Sequence, residues 1–147
     1  MVLKMKKILL YLFMISFSYI FSCDENPVFI DCRECYQNEP DYATLILKLD
    51  KSFSSGLYPS ALITIYLGNI EDNVVLYTFN VQQSRYEIEV ALNRKYTISA
   101  TYTDDKGIKY TAIDTAYPRI RFDEYQCEEP CYYVYDRVVN LSLKYIK

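Results

Sequence analysis

From Tyr42 onward the apolar and polar residues alternate with a period of two, the spacing that gives a strand one oily face. Residues 44–49 place Leu45, Leu47 and Leu49 on one side, and residues 61–67 do the same with Ala61, Ile63, Ile65 and Leu67. Residues 74–79 (VVLYTF) form a nearly continuous apolar run. Residues 86–92 set Tyr86, Ile88 and Val90 against Glu87 and Glu89, and residues 95–103 set Tyr96, Ile98, Ala100 and Tyr102 against a row of Thr and Ser. Two further stretches, 108–115 and 138–146, complete the pattern. Gly68-Asn69 with residues 71–73, residues 92–94, and Asp104-Asp105-Lys106-Gly107 carry turn chemistry and predict hairpin loops. The expected fold is all-β, a single antiparallel β-sandwich of about seven strands over residues 42–147. One face of each strand is apolar and the other rich in Thr and Glu, as a two-sheet core requires.

The N-terminus follows a different rule. Residues 1–7 carry three lysines and no acid, and residues 8–21 are a 14-residue apolar run. These are the n- and h-regions of a secretory signal peptide. A spanning helix would need about 20 apolar residues, and this run ends in Ser22, Cys23, Asp24 and Glu25. Ile20-Phe21-Ser22-Cys23 resembles the lipobox of bacterial lipoproteins. The resemblance implies cleavage after Ser22 and a diacylglycerol on the Cys23 thiol, an anchor that holds stably because it inserts two chains. Asp24-Glu25 resembles the acidic tract that sends lipoproteins of Bacteroidota to the cell surface, whereas the enterobacterial sorting rule reads Asp after the cysteine as inner-membrane retention. The expected organisation is a signal peptide (1–22), a lipid-anchored tether (23–41) stiffened by Pro27 and Pro40, and the β-domain (42–147).

The run RKYTISATYTDDKGIKYTAID at residues 94–114, with IYLGNIED at 65–72, is similar to small Bacteroidota envelope lipoproteins with an immunoglobulin- or transthyretin-like sandwich. That resemblance implies an outer-membrane, surface-exposed location and carries no catalytic signature, since those families largely lack an assigned activity.

Processing changes the charge. Three lysines leave with residues 1–22 and all 19 acids stay, so 16 basic residues become 13 and the net charge moves from −3 to −6. An acidic domain is unsuited to neutralising phosphates on nucleic acid or to polybasic docking on anionic lipid. The 125-residue mature chain suits one domain. It keeps 15 of 17 tyrosines, residues that cover sheet surface well and are also enriched in recognition faces.

Cys23 accounts for the odd cysteine of five. Cys32-x-x-Cys35 and Cys127-x-x-x-Cys131 are two close pairs with 91 residues between their inner members. Two disulfides suit an exported chain. Four thiolates at this spacing could also hold zinc, and a redox pair would need a helix after Cys32, where YQNEPD is turn-like instead. Four cysteines allow three connectivities. Each pair precedes a terminal strand by a similar distance, so parallel pairing of the first and last strands would bring both pairs to one end. Bridges between the pairs are therefore expected.

Other chemistry is sparse. The absence of histidine excludes Ser-His-Asp and Cys-His arrangements. Glu87 and Glu89 share a strand face about 7 Å apart, and they are the pair to test for glycosidase chemistry, although alternating Glu on a strand is ordinarily its solvated side. Glu71-Asp72-Asn73 supplies too few oxygens for calcium, and three glycines leave no phosphate-cradling loop. No metal or cofactor is expected. Asp114-Thr115-Ala116 resembles the O-glycosylation sequence of exported Bacteroidota proteins, which implies Thr115 as acceptor. The expected role is a non-enzymatic binding or assembly module, held at the membrane by its lipid, with an envelope protein or glycan as partner. Exposed tyrosines such as those of YYVY (132–135) are candidate contacts. A carboxylate-dependent glycan hydrolase and a fimbrial component using strand addition are the alternatives.

Overall fold

In a computed structural model, the described residues are 30–53, 56 and 58–143. The expected signal peptide (residues 1–22), Cys23 and Asp24-Glu25 lie outside them. Among the described residues there are nine strands: β1 (Tyr42–Lys48), β2 (Ala61–Leu67), β3 (Val75–Val81), β4 (Arg85–Ala91), β5 (Tyr96–Thr103), β6 (Lys109–Ala116), β7 (Arg119–Asp123), β8 (Cys131–Tyr135) and β9 (Val138–Asn140). The all-β sandwich holds, with two strands more than expected. Two sheets face each other, one ordered β4-β1-β9 and the other β3-β2-β5-β6, and β7-β8 forms a separate hairpin. Every pairing is antiparallel except β1 with β9, which is parallel through Ile46↔Val138, Leu47↔Val139 and Lys48↔Asn140.

Local chemistry explains the turns. The β5–β6 hairpin closes on Asp104, whose carboxylate accepts from the Lys106 and Ile108 N–H groups at 3.0 and 2.8 Å. Gly107 takes the left-handed conformation (φ 78°) that this turn needs. The β2–β3 connection is also a hairpin, as expected. Residues 92–94 are not. β4 pairs with β1 and β5 with β2, so this turn carries the chain from one sheet to the other, with Asn93 left-handed at φ 57°. A turn signature marks a reversal, and only the partners decide which strands it joins.

The core lies between the two sheets. Leu45 and Leu47 of β1, Val90 of β4, and Val139 with Leu141 at the chain's end meet Ile63 and Ile65 of β2 and Ile98, Ala100 and Tyr102 of β5. Ile46 points to the opposite face yet is only 8% exposed. Its N–H donates to the Arg137 carbonyl at 2.9 Å, and residues 133–138 lie beside it on that face, so β1 is covered on both sides at Ile46 while Tyr42 and Lys48 stay exposed.

Tyr102 locks the sandwich at one end. Its hydroxyl donates to the Leu141 carbonyl at 2.8 Å and accepts from the Asp50 N–H at 3.2 Å. Burial pushes its pKa up to about 12, so the group stays a neutral donor at any physiological pH. Asp50 adds a second tie, accepting from the Ser52 N–H at 2.8 Å and the Leu143 N–H at 2.9 Å. Burial alone would raise the Asp50 pKa, and the hydrogen bonds from Ser52 and Leu143 more than offset it, holding the carboxyl below its ordinary range.

Two outcomes are expected in urea unfolding with the disulfides intact. Tyr102→Phe leaves a buried carbonyl without its donor and costs about 1–3 kcal/mol. Asp50→Asn destabilises at neutral pH. A depressed carboxyl pKa adds stability that is present above its unfolded value and lost as pH falls through the folded one. The gap between wild type and Asp50→Asn therefore closes on acidification below about pH 4.

Candidate functional site

The four cysteines expected to form disulfides come together at one place. Cys32 bonds to Cys127 and Cys35 to Cys131, with Cα–Cα distances of 5.6 and 5.5 Å. The bridges run between the pairs, as expected, because β1 and β9 are parallel neighbours and both pairs sit upstream of them. The Cys35 and Cys127 sulfurs lie 3.8 Å apart, so the two bridges are side by side. The Cys35, Cys127 and Cys131 sulfurs fall within 4.8 Å of one another, close enough to resemble a thiolate metal site, but each is consumed in an S–S bond.

This clasp shortens the expected tether. Residues 32–34 form a 3₁₀ turn capped by the Asp31 carboxylate, and Tyr36 exchanges backbone hydrogen bonds with Tyr132 of β8 at 2.9 and 2.8 Å. Residues 32–36 are thus fastened to the β7–β8 hairpin. The opposite side of that hairpin's loop is shaped by Asp123, a buried carboxylate that accepts from the Tyr125 and Gln126 N–H groups at 3.2 and 2.7 Å.

The strand edges differ sharply. β4 carries Arg85, Glu87 and Glu89 along its length, and β9 is only three residues long. β6 has Lys109, and its Asp114 carboxylate accepts from the Asn140 N–H of β9 at 2.7 Å, tying those two edges together. Charge, shortness and cover are how sheets protect an edge. β3 has none of them. Residues 74–81 (VVLYTFNV) contain no charge, and Val74, Val75, Leu76 and Tyr77 are 40–49% exposed. Further along, Phe79 turns inward onto Tyr86 (ring centroids 5.0 Å apart) and Val81 is buried.

Beside the exposed half of β3 is a cleft of about 400 Å³ between the two sheets. Tyr42, Leu76, Tyr77 and Tyr96 form its walls, and Glu89 and Arg94 are its charged members. Tyr96 is held in place by its hydroxyl, which donates to the Ala91 carbonyl at 2.8 Å. These residues come from five segments, so no local motif could have announced them.

The residues singled out from sequence are distributed otherwise. Glu87 is exposed and paired with Arg85 at 2.7 Å, while Glu89 lines the cleft. The two do not converge on one cavity. Thr115 was expected where a strand enters a loop. It lies within edge strand β6, with its side chain exposed and its N–H donating to Asp114 at 2.9 Å. The YYVY tyrosines form β8 and are half-buried in ring pairs, Tyr132 with Phe122 and Tyr133 with Tyr135. The alternation Arg119-Ile120-Arg121-Phe122-Asp123 was the available signal for the β7 partner.

Comparison of the chain with family models, with curated proteins and with solved structures finds no match. Its chemistry rests on its own residues.

The adjacency of the bridges makes their contributions unequal. The first to close constrains a loop of about 95 residues, worth about 4.7 kcal/mol in the chain-entropy model. The second then closes only a small ring, worth roughly 2–3 kcal/mol. Removing either pair (Cys32→Ala/Cys127→Ala or Cys35→Ala/Cys131→Ala) is expected to lower unfolding stability by the smaller amount. Removing all four is expected to cost about 7 kcal/mol, more than twice the single-pair loss. Urea titration of the three variants checks this, and additive losses would contradict it.

Proposed function

We propose that this chain is a lipid-anchored module of the bacterial outer membrane, surface-exposed and non-enzymatic, which binds an envelope partner protein through the β3 edge. The supporting observation is the uncharged, exposed run at residues 74–77 next to the cleft. An unpaired row of backbone N–H and C=O groups is complementary to one kind of object, another extended strand. Side chains at alternate positions of that incoming strand have a cleft to enter, which supplies selectivity beyond the backbone ladder. The occupant is therefore a polypeptide segment in extended conformation, apolar where it faces Leu76 and Tyr77. A hydrolase reading would need two carboxylates at one cavity, and Glu87 and Glu89 are divided between an ion pair and the cleft.

The anchor rests on Cys23 and its resemblance to a lipobox. The clasp gives that anchor a use: a pull on the N-terminal segment reaches the domain through two disulfides at residues 32 and 35, not through strand β1.

Two measurements test the proposal. Growth with an alkyne fatty acid should label the protein, and Cys23→Ser should abolish the label; an unlabelled wild type would remove the anchor. A photo-crosslinking residue at position 76 in the native envelope should give one discrete protein adduct. In that complex the β3 amides should exchange with deuterium more slowly than in the isolated protein, and Val75→Lys should lose both effects without changing the urea midpoint. An adduct with glycan or with a second copy of this chain, no adduct at all, or unprotected β3 amides would overturn the partner-strand reading.

A further inference from the structure

A second recess lies on a different face, where the end of β8 and the turn into β9 fold over the outer side of β1. It measures about 270 Å³, with Ile46 as its floor, Tyr133 and Tyr135 beside it, and Lys48, Arg85 and Arg137 around it. Lys48 and Arg85 are direct cross-strand partners in the β1–β4 ladder. Their side chains therefore leave the same face with Cβ atoms about 5 Å apart, an arrangement that destabilises a sheet when the charges are alike. A chain with more acids than bases could readily have placed a carboxylate there.

The cations are only partly neutralised from within. Arg85 holds Glu87 at 2.7 Å, and Arg137, whose side chain is 16% exposed, pairs with Glu34. Lys48 has no acidic partner within 4 Å among the described residues. The Asp136 carboxylate, which also lines the recess, accepts from the Tyr117 N–H at 3.2 Å. Glu34 and Asp136 of the lining, with Glu87 on Arg85, balance the three cations in number, and Lys48 is the cation left without an acidic partner among the described residues.

The aromatic side is rigid. Tyr133 and Tyr135 stand nearly parallel, 15° apart with centroids at 6.2 Å. Arg119 stacks its guanidinium over the Tyr135 ring at 5.3 Å and over Tyr117 at 4.8 Å, a cation–π contact that fixes the Tyr135 ring.

The geometry points to a binding site for a monoanionic, carboxylate-bearing sugar. Its carboxylate meets the Lys48 ammonium, with the Glu87-paired Arg85 guanidinium directly across the strand pair. The C–H face of its ring lies against Tyr133 and Tyr135. Its hydroxyls donate to Glu34 and Asp136, acceptors that would repel a dianionic phosphate. Selectivity for a sugar acid over both a neutral sugar and a phosphate follows from this mixed lining. The site stands apart from the β3 cleft and does not depend on the partner proposed there.

Titration of the disulfide-bonded, lipid-bearing protein in detergent, followed by amide chemical shifts, tests it with glucuronate, glucose and inorganic phosphate as probes. Glucuronate should saturate and shift the residue 48, 133 and 135 amides, with glucose and phosphate each weaker by about tenfold or more. Lys48→Gln should weaken glucuronate by about tenfold while keeping or raising the urea midpoint, because it removes a like-charge neighbour. Glucose or phosphate binding as tightly as glucuronate, no saturable binding of glucuronate, or an unchanged affinity in Lys48→Gln would overturn the assignment.

Discussion

The parallel pairing of β1 with β9 joins the first and last strands of the domain, and the remaining architecture is arranged around it. Parallel neighbours cannot be linked by a tight turn, so the chain must leave this sheet between residues 48 and 138 and return, with β4 rejoining it on the other side of β1. That excursion builds the four-stranded sheet, and its inner face covers Leu47 and Val139, both fully buried. The same pairing puts the segments upstream of β1 and β9 side by side. Two cysteine pairs more than 90 residues apart in sequence thus meet at bonding distance.

That arrangement also divides the molecule's surfaces by function. One end is sealed by the Tyr102 and Asp50 hydrogen bonds to residues 141 and 143. The N-terminal segment is clamped onto the β7–β8 hairpin, and β6 and β9 protect one another through Asp114 and Asn140. What remains open is the β3 side, where an uncharged strand lies exposed beside a cleft. A domain that protects its other edges and leaves a long apolar one bare carries an aggregation hazard unless something covers it. The proposed partner strand resolves that hazard and follows from it.

Much of the fold was legible because strand alternation is a local property. The residues facing inward in β1, β2 and β5 were those expected from period two. Ile46 was an exception, since its burial depends on residues 133–138 closing over the outer face. The turn at 92–94 was read as a hairpin because its chemistry is that of a reversal, while the change of sheet is set by pairing partners. β8 was missed because cysteines and tyrosines do not alternate in polarity, and its strand state comes from pairing with β7 and from the clasp.

The sequence by itself determined the alternating faces, the hairpin at residues 104–107, the acidic character and the supply of four cysteines for two bridges, all consequences of nearest-neighbour chemistry. Only the tertiary structure decided which cysteines bond, which edge stays bare, and that Lys48 stands opposite Arg85. These are relations between residues tens of positions apart, and register across strands, not spacing along the chain, brings their side chains together.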